Sequence, residues 1–310
     1  MNGDIDAGEE TINEVELYKD SFNEEQHYYY HKHPGNFLYA TAEFKRAYEE
    51  YLVAEKYILN EFPKLELGDL YYSIGLTASQ FFETEKSLKY TELALNIYQQ
   101  EFVPKRITEC HINLGIQQSR LRNFKTAIDH NRAALNIGQE LNSNFLKFTT
   151  EYNHGYIYFQ FQNYDLAIDH VAKSLQFLPR EYVADYLTSY NTLIKAAYEL
   201  NDYEQALYWL DKGEEIAKEI DLKETIHRNV KDIYTEFRLL SYLLTQDYNE
   251  YENLIVNTWL PLLENKNHVY ELGYYYKQLG NYYLKKSEFE KAARILNKSS
   301  ETFQKLMTFG

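Results

Sequence analysis

The segment LGIQQSRLRNFKTAIDHNRAALNI occupies residues 114–137, and the related segment HGYIYFQFQNYDLAIDHVAKSLQFLP occupies residues 154–179. In both segments an aromatic residue is followed three positions later by alanine and seven positions after that by another small residue. Two antiparallel helices can approach closely only where such small side chains face each other. The pattern therefore predicts paired helices that repeat along the chain.

The pattern recurs through nearly the whole sequence. Its first member is found at Phe44, Thr84, Phe124, Tyr164, Tyr203, Tyr248 and Phe289. A glycine nine residues earlier is found at Gly35, Gly75, Gly115, Gly155 and Gly280, whereas Ile194 and Leu239 replace it in the fifth and sixth repeats. We expect the glycine to allow close packing of the pair and the aromatic residue to fill the wedge at the turn. The sixth repeat, with Tyr251 and Thr258 at the small positions, should be the most divergent.

Composition agrees with a helical protein that has a large core. Apolar residues make up 45% of the 310 positions, and the chain has only 12 glycines and 5 prolines, too few for the turns of an all-β protein. The expected fold class is all-α, a right-handed tetratricopeptide-type superhelix of about seven helix pairs with a period of about 40 residues. We expect an acidic N-terminal segment over residues 1–24 and one repeat domain over residues 25–310.

Charge and motifs exclude several function classes. The formal net charge of −15 disfavours direct contact with nucleic acid. The single cysteine, Cys110, rules out an intramolecular disulfide and fits a reducing compartment, and no stretch of 18 apolar residues could span a membrane. We therefore expect a cytoplasmic protein. The common phosphate-binding, hydrolase and zinc-protease motifs are absent, so the sequence predicts no catalytic residue, no metal and no cofactor.

The repeats resemble the tetratricopeptide family. The two opening segments and residues 279–300, LGNYYLKKSEFEKAARILNKSS, are similar to its consensus, although the period exceeds the usual 34 and implies helices of about four turns. Residues 71–116, YYSIGLTASQFFETEKSLKYTELALNIYQQEFVPKRITECHINLGI, resemble the peptide-pheromone receptors of Gram-positive bacteria, the Rap, NprR and PlcR group, and most of all the repeat domain of NprR. This resemblance implies a quorum-sensing regulatory domain that binds a short signalling peptide.

The first helix of each pair should line the concave face of such a superhelix, where a peptide would bind. In the receptors that the chain resembles, asparagines on successive first helices bind the peptide backbone, and amide groups suit this role because they both donate and accept. The resemblance carries this role to Asn153 and Asn191, with Asn113 and Asn281 as weaker candidates. Helical spacing adds further candidates on the same face: Gln80, Arg120, Tyr152, Tyr156, Gln160, Lys195, Tyr198 and Lys277.

Each of these residues also has a structural explanation. A single helical asparagine commonly bonds to a neighbouring carbonyl, a lysine is commonly solvated, and most tyrosines pack in the core. His27, His31 and His33 suggest a metal site only weakly, because no further His or Cys pair completes a ligand set and Pro34 is expected to end the helix there.

Three functions remain open. The leading one is peptide sensing that changes oligomeric state or partner binding, with a homo-oligomer expected. The gene regulators of this group carry a helix-turn-helix module before the repeats, and the sequence does not show one. We therefore expect the peptide signal to act either through a DNA-binding module that is detached from this domain or through a response regulator. The alternatives are a generic scaffold that docks a protein tail and, least favoured, a Rap-like phosphatase accessory that uses Gln26.

Overall fold

The computed structural model describes residues 14–307 except positions 42, 60, 221–227 and 267. Within these ranges the chain is all-α, with no strand, as expected from its composition. The first helices of the pairs are all 17 residues long, close to the predicted length. They are α1 (Glu24–Ala40), α3 (Lys64–Gln80), α5 (Pro104–Arg120), α7 (Asn144–Gln160), α9 (Val183–Glu199), α11 (Arg228–Leu244) and α14 (Val269–Lys285).

The second helices each begin at the first member of the sequence pattern, which confirms the predicted repeat. They are α2 (Phe44–Glu55), α4 (Thr84–Gln100), α6 (Phe124–Glu140), α8 (Tyr164–Ser174), α10 (Tyr203–Ala217), α12 (Tyr248–Leu254), which continues into α13 (Leu260–Lys266), and α15 (Phe289–Met307).

Six of the turns within the pairs share one geometry. At the turn between α7 and α8, Gln162 has a φ of 63°, and the amide of Asn163 donates to the carbonyl of Tyr158 at 2.9 Å. This six-to-one bond with a left-handed residue is a Schellman-type helix end, which satisfies a carbonyl that the helix leaves unpaired. The same left-handed position is occupied by Phe82, Arg122, Asn201, Gln246 and Ser287 in five other turns.

The chain divides into two compact units, residues 1–114 and residues 115–310. The first contains a core built around Tyr28, Tyr51 and Leu70. The second contains a larger core that includes Trp259 and Tyr275. The expectation of a single repeat domain over residues 25–310 stays a prediction.

Close helix approach at the repeated glycine is confirmed. A Cβ atom on Gly155 of α7 would lie 2.9 Å from both the carbonyl oxygen of Ala167 and the amide nitrogen of Val171 on α8. Contacts that short are incompatible with a methyl group, so only glycine lets the two backbones meet here.

Two expectations are wrong. Pro34 does not end α1, which continues through it to Ala40. Packing of this part of α1 on α2, where Gly35 faces the Tyr51 ring, offsets the single backbone hydrogen bond that proline removes. The first aromatic of the pattern does not fill a buried wedge either: it is half-buried at Phe44 and Tyr164 and exposed at Phe124, Tyr203, Tyr248 and Phe289.

The sixth repeat departs most from the others, as predicted. Its second helix is interrupted by a π-helical turn, Ile255–Trp259, which separates α12 from α13. Tyr251 and Thr258 occupy the positions where other repeats have small residues, and Tyr251 is buried. A larger side chain at a close helix contact requires the backbone to widen, and the wider π turn provides this room.

Candidate functional site

The predicted inner face of α7 carries a row of aromatic rings. Phe148, Tyr152 and Tyr156 are four residues apart and therefore lie one above the other on the helix. Ring centroids are 5.9 Å apart for Phe148 and Tyr152 and 6.1 Å apart for Tyr152 and Tyr156. Phe159 extends the row at 6.3 Å from Tyr156. Phe148 and Phe159 are buried, at 4% and 1% exposure, whereas Tyr152 and Tyr156 are partly exposed, so the two tyrosines are the members of the row that present ring surface to a ligand.

Glu236 on α11 binds donors from two other first helices. The Lys195 ammonium on α9 and the Tyr275 hydroxyl on α14 both donate to one carboxylate oxygen at 2.7 Å. The Asn191 amide on α9 donates to the other oxygen at 3.1 Å. The side chains of Lys195 and Glu236 are only 6% and 15% exposed, so the charges depend on each other for stabilisation.

Two further carboxylates join α14 to α9 and α7. Glu199 at the end of α9 accepts from the Lys277 ammonium at 2.8 Å and from the Gln278 amide. Glu271 on α14 accepts from the Tyr156 hydroxyl. Together with Glu236 and the donors already named, these residues form what we call the carboxylate network. In this network, polar groups that the sequence assigns to a peptide-binding face are occupied by the chain's own side chains.

The tyrosines of the network remain protonated donors at any physiological pH. Burial, reinforced by the charge of Glu271, raises the pKa of Tyr156 well above its ordinary value. Burial and the charge of Glu236 do the same to the pKa of Tyr275. Each hydroxyl therefore donates to a carboxylate rather than competing with it for a proton.

Asn191 has hydrogen-bonding capacity left over. Its amide nitrogen donates to the carbonyl of Ile233 at 3.0 Å as well as to Glu236. Its side-chain oxygen is buried and has no hydrogen-bond partner among the described residues. A buried acceptor without a donor is destabilising, and a ligand N–H group that displaces the side chains around it would satisfy it.

The structure brings five of the predicted site residues together in the second unit. Tyr156, Asn191, Lys195 and Lys277 belong to the carboxylate network, and the Tyr152 hydroxyl lies beside it, 3.3 Å from the Thr192 hydroxyl on α9. They converge because α7, α9, α11 and α14 all turn the same helical positions toward one another.

Three more predicted residues lie close to this network. Gln160 accepts from the Ser119 hydroxyl, and Arg120 donates to Gln117 at 3.1 Å. Burial lowers the pKa of Arg120, while the charge of Glu271 opposes that shift, which shows that Arg120 lies within electrostatic reach of the network. Tyr198 packs against the ammonium of Lys285 at 5.9 Å.

Four predicted residues lie elsewhere. The amide of Asn113 donates to the Thr91 hydroxyl at 2.7 Å and joins α5 to α4. Asn153 donates to the Thr149 carbonyl of its own helix at 2.8 Å, which is the local bonding that the sequence left open. Gln80 is exposed at the end of α3, and Asn281 is half-buried. Asn113 and Asn153 are one position away from Asn191 in the repeat, so their side chains point to a different neighbour.

Sequence reasoning missed Glu271 and Tyr275. Glu271 lies nine residues before Gly280, ahead of the helix positions that the repeat pattern predicts to face inward. Tyr275 lies five residues before Gly280, between two positions that are predicted to face inward. Glu271 could have been found from the sequence as a carboxylate one helical turn before the predicted inward-facing positions of α14. No such pattern identifies Tyr275, because its role depends on the arrangement of three helices.

Gln26 and the histidines of α1 have structural roles. Gln26 and Asn23 form a capping box: the Asn23 side chain accepts from the amide of Gln26 at 2.8 Å, and the Gln26 side chain accepts from the amide of Asn23 at 2.9 Å. His31 bonds to Glu50 at 2.7 Å, and His27 stacks on Tyr57. Across the described ranges, no three His, Cys, Asp or Glu side chains are placed to share a metal ion. None of the described helices is long and apolar enough to cross a lipid bilayer.

Comparison with known proteins places these features in context. Residues 146–219 match the family model of the tetratricopeptide repeat. The transcriptional activator NprA of Geobacillus stearothermophilus is 30% identical over 296 residues, which cover 94% of this chain and 72% of NprA. Response regulator aspartate phosphatase E of Bacillus subtilis is 26% identical over 226 residues, covering 71% of this chain and 59% of that protein.

A solved structure has the same fold. NprR in complex with its cognate peptide NprX superposes with a TM-score of 0.67 at 18% identity, covering 97% of this chain and 82% of NprR. The tetratricopeptide-type fold predicted from the repeats is thereby confirmed.

Proposed function

This chain belongs to the Rap and NprR group of tetratricopeptide-repeat regulators, and we propose that it binds a short signalling peptide through the inner face of α7, α9, α11 and α14. One member of this group, NprR, has been solved with its cognate peptide. The eight predicted residues in or near the carboxylate network, with Glu236 and Glu271 added, are the proposed binding set, and Asn191 is the member with the strongest support.

The unpaired oxygen of Asn191 is the observation that carries the proposal. An extended peptide brings backbone N–H groups that need acceptors, and the buried Asn191 oxygen is an acceptor that needs a donor. Forming one such bond contributes about 0.5–1.5 kcal/mol net, and more where it relieves a buried unsatisfied group. The partly exposed rings of Tyr152 and Tyr156 on α7 supply apolar contact for the peptide's side chains beside it.

The carboxylate network determines which peptide fits. Lys277 and Tyr156 now satisfy Glu199 and Glu271, so a peptide that enters must exchange with these internal partners. A peptide with a free amino terminus or a basic side chain can replace them without leaving a buried carboxylate unpaired. The net charge of −15 also attracts a cationic peptide at long range.

Peptide binding would change the chain's association with a partner. Because α14 contacts both α7 and α9, replacing these contacts by a peptide alters the packing of the seventh repeat on the fourth and fifth. The outputs consistent with the relatives are a DNA-binding module, as the name of NprA suggests, or a response regulator, as the name of aspartate phosphatase E suggests. Either output places the protein in the cytoplasm, with a change of oligomeric state as one form of the response.

A thermal-shift screen against synthetic five- to eight-residue peptides, with and without basic residues, tests the proposal. We expect at least one basic peptide to raise the melting temperature and to bind at micromolar affinity or better by calorimetry. If only long tails or folded proteins bind, the chain is a docking scaffold. Loss of response-regulator dephosphorylation in Gln26→Ala, with peptide binding intact, would instead support a phosphatase accessory.

A further inference from the structure

A second feature of the inner face lies beside the carboxylate network, at the ends of α9, α11 and α14. It is a cavity of about 200 Å³, lined by the aromatic rings of Tyr198, Tyr203 and Tyr248, by Gln278 and by Lys285. Gln278 also donates to Glu199, so the cavity adjoins the network directly. One ligand can therefore contact both.

Lys285 differs from the lysines around it. Lys277 is paired with Glu199, and Lys286 is paired with Glu252 at 3.1 Å and Glu288 at 3.3 Å. The ammonium of Lys285 instead lies over the Tyr198 ring, 5.9 Å from its centroid, and among the described residues no carboxylate comes within 4.0 Å of it. An ammonium that no carboxylate neutralises is able to attract an anion.

The other groups around the cavity favour the same chemistry. Tyr203 and Tyr248 are half-exposed, so their hydroxyls are able to turn toward a ligand. Hydroxyl groups and an ammonium donate hydrogen bonds to an anion, and the aromatic rings enclose the apolar part of the molecule that carries it. A single cation matches the single charge of a carboxylate, whereas a phosphate would bring a second negative charge with no cation to balance it.

We propose that this cavity binds a carboxylate and that, in the peptide complex, the carboxylate is the peptide's C-terminus held by Lys285 with the Tyr198, Tyr203 and Tyr248 side chains around it. The assignment of the peptide terminus rests on the proposed function, whereas the carboxylate site itself does not. Binding of the C-terminus in the cavity also orients the peptide, because its basic or amino-terminal part then lies at the carboxylate network.

A thermodynamic cycle tests this orientation. A peptide that binds the wild-type chain is compared by calorimetry as the free acid and as the C-terminal amide, against the wild type and Lys285→Met. We expect amidation to weaken binding to the wild type about tenfold, Lys285→Met to weaken binding of the free acid by a similar factor, and amidation to have no further effect on Lys285→Met. Lys286→Met is the matched control, because it removes the same charge one residue away, and it should leave the effect of amidation intact.

Equal binding of acid and amide to the wild type, or equal losses in Lys285→Met and Lys286→Met, would overturn the assignment of the peptide terminus while leaving peptide binding established. A separate arm uses N-acetylglycine without any peptide. If it raises the melting temperature of the wild type and not of Lys285→Met, the cavity is a carboxylate site even where no peptide binds. If it stabilises neither chain and amidation has no effect, the proposal is wrong.

Discussion

The hydroxyl of Tyr156 on α7 donates a hydrogen bond to the carboxylate of Glu271 on α14, 115 residues later in the sequence. This bond joins the first helices of the fourth and seventh repeats, which are not neighbours in a simple stack of pairs. The inner face of the second unit is therefore occupied by internal contacts, and a ligand has to compete with them.

Removing this bond should favour the ligand. Tyr156→Phe keeps the ring stacked on Tyr152 but loses the hydroxyl, so we expect a loss of about 1 kcal/mol in the free energy of unfolding. Peptide affinity should rise by about fivefold, because the peptide no longer competes for Glu271. Urea unfolding and calorimetry measure the two effects. Tyr158→Phe, on another side of the same helix, is the control, and a drop in affinity for Tyr156→Phe alone would show that the hydroxyl contacts the peptide instead.

The ion pair between Lys195 and Glu236 should be strongly coupled to stability. Lys195→Met leaves a buried carboxylate without its cation and should lower the free energy of unfolding by about 3–5 kcal/mol. Lys195→Met combined with Glu236→Gln should recover most of that loss. The exposed pair of Arg180 and Glu219 provides the comparison, since Arg180→Met should change stability far less than Lys195→Met does. Similar losses in both single variants would contradict the account.

Gly155 and Gly280, two of the glycines that face second helices, should respond differently to alanine. A Cβ on Gly155 meets backbone atoms of α8 at 2.9 Å, whereas a Cβ on Gly280 meets the flexible Leu296 side chain first and its backbone nitrogen only at 3.5 Å. We expect Gly155→Ala to lower the free energy of unfolding by about 2–3 kcal/mol and Gly280→Ala by less than about 1 kcal/mol. Denaturant titration of both variants checks the order, and the reverse order would be inconsistent with the packing described.

Acid should destabilise the protein through His154. Burial, with a contribution from the stacked His170 ring at 4.3 Å, lowers the pKa of His154 from 6.5 to about 4. Between these two values the unfolded chain binds a proton at His154 that the folded chain does not, so stability falls as the pH drops from about 6.5 to about 4. Melting curves across this range should show a smaller fall in His154→Gln than in the wild type.

Other charged groups also face His154, and their effects can be separated. They are Arg132 on α6, Glu151 on α7 and Lys173 on α8. Burial raises the pKa of Glu151, but the bonds from His170 and Lys173 to this carboxylate outweigh burial and hold the pKa below its usual value. The stabilising contribution of Glu151 is therefore lost only at lower pH. Identical pH profiles for the wild type and His154→Gln would show that His154 does not cause the fall.

The sequence predicts the local features of this fold well and the distant ones poorly. The start of every second helix follows from the repeat because turns depend on neighbouring residues, as Gln162 and Asn163 show. The helix continues through Pro34 because tertiary packing on Tyr51 overrides the local preference of proline to end a helix. The contact of Tyr156 with Glu271 has no counterpart in the repeat pattern, since it depends on how several helix pairs combine.

The same distinction applies to the asparagines. The repeat aligns Asn153 and Asn113 at one position and Asn191 one position earlier, and a helix rotates by about 100° per residue. That rotation directs Asn153 to its own helix and Asn191 toward Glu236. A one-position difference that is small in the sequence therefore separates a local hydrogen bond from a place in the carboxylate network.

The most direct test of the central claim is a calorimetric titration of a basic signalling-type peptide into three chains, the wild type, Asn191→Ala and Asn153→Ala, each confirmed to be folded by circular dichroism. The account predicts that Asn191→Ala weakens binding about tenfold or more, because the peptide loses a buried partner, while Asn153→Ala binds like the wild type. Equal affinity in all three chains, or a loss confined to Asn153→Ala, would contradict a peptide site centred on Asn191.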